Sequence, residues 1–190
     1  MLPWFEGTTA DLEPPGRGQG AVLGGFFKAL HQPAPADAPR NPYRGVPLAD
    51  REARAVEQLA RLAERGDLVT PALRTIWETA LATPIDVEPR WMMGDPHARN
   101  VLVKDGRLAA MIDWGDMGQG DPANDLGAVW MLLGERAERA AAMAAYGGTA
   151  ATWARARGWA VAFGAMLADI TDDPRLVAMG ERTLRRVVAD

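Results

Sequence analysis

One short segment constrains this chain more than any other. Val101–Val103 and Leu108–Ile112 are apolar runs on either side of Lys104-Asp105-Gly106-Arg107. Asp-Gly between two such runs is a strong hairpin signal, because the tightest hairpin turns need positive φ at both central residues. Around this hairpin the pattern is helical. Val22, Leu23, Phe26, Phe27 and Leu30 form an apolar stripe that predicts a helix over Ala21–His31. A second helix should run from about Leu48 to Arg65 and stop at Gly66. A third opens with Thr70 as N-cap and Pro71 at the first helical position, and ends before Pro84. Val87–Met93 reads as a short strand. Helices resume at Pro122, with Asp121 as their natural cap, and continue over 135–146, 149–169 and 174–188. Residues 1–20 and the proline-rich 32–47 read as loop or linker. The expected fold class is mainly α with a small β-hairpin insertion (α+β).

Composition narrows the function classes. A chain of 190 residues that is 48% hydrophobic and 24% charged can bury a real core and is not disordered. A net charge of −4 gives a nucleic-acid partner no electrostatic support. The absence of cysteine excludes disulfides and thiolate metal sites. No stretch has the apolar length to span a bilayer, and the first residues lack the basic and apolar regions of a secretory signal. A cytoplasmic protein with no membrane partner is expected.

The polar residues of interest surround the hairpin. Asp95 and Asn100 are separated by four residues, a gap that can bring both side chains towards one point. Asn100 enters the first hairpin strand and Asp113 leaves the second, so the two should be neighbours. Two oxygen-bearing side chains at a strand mouth, with a third carboxylate on the preceding loop, suit a hard cation such as Mg²⁺. That ion takes one or two protein carboxylates and relies on substrate phosphates and water for the rest.

The order Gly94-Asp95-Pro96-His97-Ala98-Arg99-Asn100, then Ile112-Asp113-Trp114, then Gly120-Asp121-Pro122-Ala123-Asn124-Asp125-Leu126 resembles the aminoglycoside phosphotransferase and choline kinase-like family. The resemblance implies the C-terminal lobe of a protein-kinase-like fold, with the N-terminal β lobe absent from the sequence. Residues 1–20 would be a hinge and loop remnant. Residues 21–190 would be the lobe, with its catalytic loop and metal-binding hairpin at 91–127. By the same resemblance Asp95 is the catalytic Asp, and Asn100 and Asp113 hold Mg²⁺ against the phosphates of ATP (or GTP). Asp125 braces the catalytic loop, His97 and Asp121 support it, and Leu2-Pro3-Trp4-Phe5-Glu6 meets the adenine ring. The implied activity is ATP-dependent phosphorylation of a hydroxyl on a small polar molecule, such as an aminoglycoside-like antibiotic or a related metabolite. The alternative is a non-catalytic kinase-like lobe that binds a metabolite or partner protein. An upper lobe supplied from sequence outside the chain, or self-association, would cover the exposed packing face.

Two features depart from the family pattern. Met93 stands where the family usually has histidine, and the only lysines, Lys28 and Lys104, do not fit a nucleotide-gripping strand. Several further residues have plain readings. Gly16–Gly20 is expected to be a flexible loop rather than a phosphate cradle. The helically placed tryptophans are expected in the core. Glu135 and Glu138 should lie on the surface, and Arg182, Arg185 and Arg186 on a solvated helix face.

Overall fold

The computed structural model describes residues 4–190; Leu2 and Pro3 of the expected adenine-contacting segment lie outside them. The element order is β1 (Thr8–Thr9), α1 (Gln19–Leu30), α2 (Glu52–Arg65), α3 (Pro71–Ala82), β2 (Arg90–Met92), β3 (Val101–Lys104), β4 (Arg107–Met111) and β5 (Gly118–Gly120). Five helices follow: α4 (Ala123–Leu126), α5 (Ala128–Leu132), α6 (Arg136–Tyr146), α7 (Ala150–Ala168) and α8 (Pro174–Ala189). The hairpin β3–β4 turns at Asp105 (φ 52°) and Gly106 (φ 73°), the positive-φ pair that an Asp-Gly turn provides. β1 adds to its other edge, giving an antiparallel order β1-β3-β4, and β2 pairs with β5 in a separate antiparallel ribbon. Neither β1 nor β5 has a strand signal. Thr-Thr is too short for a period, and Gly118-Gln119-Gly120 contains no strand-forming side chain.

α7 is the axis of the helical part. Trp159, Val161, Phe163 and Leu167 are all buried, and so is the Arg155 side chain on the same helix. A helix apolar around its whole circumference has to be surrounded, and α2, α3, α4 and α8 pack on it. Trp77, Trp130 and Trp159 are core residues, whereas Trp114, which lies outside any helix, is 38% exposed. α3 is capped as its sequence implies, with the Thr70 side chain accepting from the Leu73 N–H. Asp173 does the same for α8 through the N–H groups of Arg175 and Leu176. Among the described residues no helix is long and apolar enough to cross a membrane.

Two expectations are corrected by long-range contacts. Gly16–Gly20 is not a free loop, because the Gly18 and Gly20 N–H groups donate to the two Glu138 carboxylate oxygens, both at 2.7 Å. That carboxylate, held below its ordinary range by these backbone donors, caps α1 from α6. Glu138 is therefore a structural cap rather than a free surface acid. Arg186 is not on a solvated face either. It is largely buried and donates to the Trp130 and Met131 carbonyls, and burial pushes its pKa down to about 10. Residues 32–47 form the irregular, largely exposed loop that the sequence implies, tied down where the buried Gln119 amide donates to the Ala38 carbonyl at 2.6 Å.

α1 and α6 approach closely because Gly20 and Gly24 face Glu138 and Ala142. A Cβ on Gly24 would lie 2.2 Å from the Ala142 carbonyl oxygen, whereas a Cβ on Gly25 meets nothing within 4 Å. Gly24→Ala should therefore destabilise the protein by about 1–3 kcal/mol. Gly25→Ala should stabilise it by up to about 1 kcal/mol through helix propensity. Urea unfolding of the two variants checks this, and equal shifts would contradict the close approach.

Candidate active site

The site is built on the loop from Met93 to Asn100, which joins the β2–β5 ribbon to the hairpin. Gly94 lies at φ 93°, where a side chain is strained, and a Cβ there would sit 2.6 Å from the Asp116 carbonyl oxygen. The loop is held from below by Asp125, which is fully buried. Its Oδ2 accepts the Met93 N–H at 2.6 Å and its Oδ1 accepts the Gly94 N–H at 2.8 Å. Asn124 Nδ2 donates to the Gly94 carbonyl at 2.8 Å and to Asp125 Oδ1 at 3.0 Å. The Met93 side chain is completely buried.

A histidine does reach this carboxylate, from α1's end rather than from the loop. His31 Nε2 lies 3.2 Å from Asp125 Oδ2, and Nδ1 lies 3.0 Å from the Tyr146 hydroxyl. Burial pushes the Tyr146 phenol up to about 12, so it stays a donor at neutral pH. A Tyr146 hydroxyl donating to Nδ1 leaves the ring proton on Nε2, facing Asp125. Nothing in the sequence marks His31 beyond its place at the end of an apolar helical stripe.

Asp95 projects from this loop with its side chain 19% exposed. Its Oδ1 accepts from Arg44 Nη2 at 2.9 Å, and its Oδ2 lies 3.5 Å from His97 Nε2. Burial pushes the Asp95 carboxyl up, while the charges of Arg44 and His97 pull it back down. His97 Nδ1 accepts the Arg99 N–H at 3.2 Å and so caps the short 3-10 turn Ala98–Asn100. That contact puts its proton on the nitrogen facing Asp95, and burial pushes the ring's pKa down.

Asn100 Nδ2 donates to the Asp95 carbonyl at 2.9 Å, and the Asn100 carbonyl accepts the Ile112 N–H at 2.9 Å. Asn100 and Asp113 therefore sit at the same outer end of the hairpin. Asp113 is exposed and left-handed at φ 58°, uncommon for a residue with a side chain and a recurrent feature of functional sites. The Asn100 Oδ1 has no protein donor among the described residues, and Asp113 Oδ1 has only the Gly115 N–H at 3.4 Å. This oxygen-only pair fits a hard cation that completes its shell with water and phosphate. Among the described residues no three His, Asp or Glu side chains gather into a closed metal cage.

The remaining expected residues lie to either side. Asp121 accepts the Ala123 N–H at 3.1 Å at the head of α4, and is also ion-paired to the buried Arg155 at 2.7 Å. Trp4 and Phe5 are exposed, and Glu6 pairs with Lys104 on the hairpin. Between α1 and the hairpin an apolar hollow of about 140 Å³ is walled by Val22, Phe26, Val101, Leu108 and Met111. Arg44 and Asn41 carry no local sequence signal of a role at this site. The Asn-Pro pair at 41–42 marks a turn, but nothing local says that the turn faces Asp95.

The profile of the phosphotransferase enzyme family matches residues 1–159. Among solved structures, the macrolide 2'-phosphotransferase of Brachybacterium faecium, as the apoenzyme, superposes with a TM-score of 0.54 at 22% identity. The match covers 96% of this chain and 68% of that one. A choline/ethanolamine kinase family protein from Mesorhizobium loti gives a TM-score of 0.54 at 18% identity, over 100% of this chain and 73% of that one. A thermostable mutant of an aminoglycoside phosphotransferase, in ternary complex with ADP and hygromycin B, gives 0.52 at 15% identity over 98% and 70%. No curated protein matches. At these identities the likeness is one of fold, and the fold is kinase-like.

Asp125→Ala would leave two buried N–H groups without an acceptor, at about 1–3 kcal/mol each. Urea unfolding should show a loss of about 2–5 kcal/mol, and a smaller one for Asp125→Asn, which keeps an acceptor oxygen. Unchanged stability in Asp125→Ala would contradict the brace.

Proposed function

Because the chain belongs to the phosphotransferase enzyme family, we propose that it is the catalytic lobe of an ATP-dependent kinase acting on a hydroxyl of a small polar molecule. What supports this most is the grouping of Asp95, Asn100 and Asp113 around one hairpin end, tied by the Asn100–Asp95 and Ile112–Asn100 hydrogen bonds. Phosphoryl transfer asks little covalent chemistry of a protein. It needs the nucleophile aimed and the developing charge offset. Asp95 orients the acceptor hydroxyl and takes its proton as the oxygen attacks the terminal phosphate, whose bond to the bridging oxygen breaks to release ADP. Asn100 and Asp113 offer the oxygens that hold Mg²⁺. That ion, when bound, supplies the positive charge that offsets the phosphates. Trp4, Phe5 and the hollow beside Phe26 are the surfaces on which a nucleobase would rest.

The solved relatives act, by their names, on macrolides and aminoglycosides or belong with choline and ethanolamine kinases. We place the acceptor in that range, an aminoglycoside-like antibiotic or a related hydroxylated metabolite. The competing reading, a lobe that binds without turnover, draws support from the exposure of Trp4 at 90% and Phe5 at 51%, apolar surface ready for a partner. Binding of Mg·ATP with no acceptor-dependent ADP release would favour it.

In the complete protein, Asp95→Ala should lower acceptor-dependent ADP release by roughly 10²-fold or more, the loss expected for a preorganised catalytic group. Near-normal turnover would remove Asp95 from its role.

A further inference from the structure

Arg44 closes one face of Asp95 from the loop between α1 and α2. The turn that delivers it is built by Asn41, whose Oδ1 accepts the N–H groups of Tyr43 at 2.8 Å and Arg44 at 3.0 Å. Asn41 Nδ2 in turn donates to Asp116 Oδ1 at 2.8 Å. The Arg44 side chain is 12% exposed and held on three sides. Its Nη2 donates to Asp95 Oδ1 at 2.9 Å, and its Nε lies 3.4 Å from Asp116 Oδ2. The guanidinium carbon sits 4.9 Å from the centre of the Phe163 ring on α7.

This arrangement is more than a loop tether. A carboxylate attached through two rotatable bonds presents either oxygen to an incoming hydroxyl, and a misaimed base loses most of the benefit of proximity. Arg44 occupies Oδ1 with a charge-assisted bond, whereas Oδ2 has only His97 Nε2 at 3.5 Å. The two oxygens are therefore unequal. We propose that Arg44 is a positioning residue for phosphoryl transfer: braced by Asp116 and Phe163, it fixes Asp95 through Oδ1 and presents Oδ2 to the acceptor hydroxyl. The inference rests on Asp95 being the group that meets that hydroxyl. It adds a residue that lies outside the Asp95–Asp125 motif, 51 positions from Asp95. It also couples the base to the 41–45 turn, so a change in that turn reaches the reaction without touching substrate.

The test uses the complete protein, with Arg44→Gln, Arg44→Lys and Asp116→Asn compared with wild type in Mg·ATP turnover, thermal midpoint and crystal structure. Arg44→Gln should lower kcat by roughly 10- to 10²-fold, the scale of a misaligned catalytic group. KM for ATP should stay within about twofold, as expected when only the reacting geometry is lost. Arg44→Lys should recover part of kcat, and Asp116→Asn should show a smaller loss. In the Arg44→Gln crystal, Asp95 should leave its wild-type rotamer. An unchanged kcat in Arg44→Gln, or an Asp95 that keeps its rotamer without Arg44, overturns the proposal. If Arg44→Gln fails to fold, the other two variants decide, and wild-type kcat in both overturns it. If wild type itself shows no turnover with any acceptor, the phosphotransferase reading fails, and the Asp95 rotamer still answers for Arg44.

Discussion

The buried carboxylate of Asp125 is the interaction on which the rest depends. A charge taken out of water is costly unless every lone pair is used, and here the surrounding residues use them. The Met93 and Gly94 N–H groups, Asn124 and His31 converge on its two oxygens, and His31 is set by Tyr146. These partners come from the loop, from α4, from α1's end and from α6. One carboxylate thus couples helices distant in sequence to the backbone just before Asp95. In a low-dielectric site such charge-assisted bonds are short and stiff. A stiff loop is what a positioned catalytic group needs, because dipoles fixed during folding need no reorganisation during reaction.

The hairpin is the second device. Its turn starts the strand register, a bulge between Leu102 and Val103 shifts it by one residue, and the shifted register puts Ile112 against Asn100, so that Asp113 emerges beside Asn100. The left-handed backbone at Asp113 then turns the chain out of the strand, leaving the carboxylate exposed at the mouth. Local strain at this residue is held by well-formed structure on both sides, with the hairpin before it and the β2–β5 ribbon after it.

Local chemistry was legible in the sequence and distant chemistry was not. The Asp105-Gly106 turn, the Thr70-Pro71 and Asp173-Pro174 helix starts, and the order of polar residues from Asp95 to Asp125 are short-range patterns. Each element they mark appears in the fold. What was misread or missed involves partners far apart in the chain. Glu138 caps α1 across 118 or more positions, Arg155 neutralises Asp121 across 34, and Arg44 reaches Asp95 across 51. Periodicity and turn preference report on near neighbours, so a proline-rich stretch reads as linker even when one of its arginines, Arg44, touches Asp95. The small ribbon strand Gly118–Gly120 escaped notice for a related reason, since it exists through pairing with β2 rather than through its own residues.

Whether the hairpin mouth is a metal–nucleotide site is tested most directly by paramagnetic NMR. Mn²⁺, which takes oxygen ligands like Mg²⁺, would be titrated into isotopically labelled protein in the presence of ATP. Amide signals at Asn100 and Asp113 should broaden first, followed by Asp95 and Gly94, with α8 unaffected. Broadening spread evenly over the acidic surface, or none near Asn100 and Asp113, would contradict that assignment.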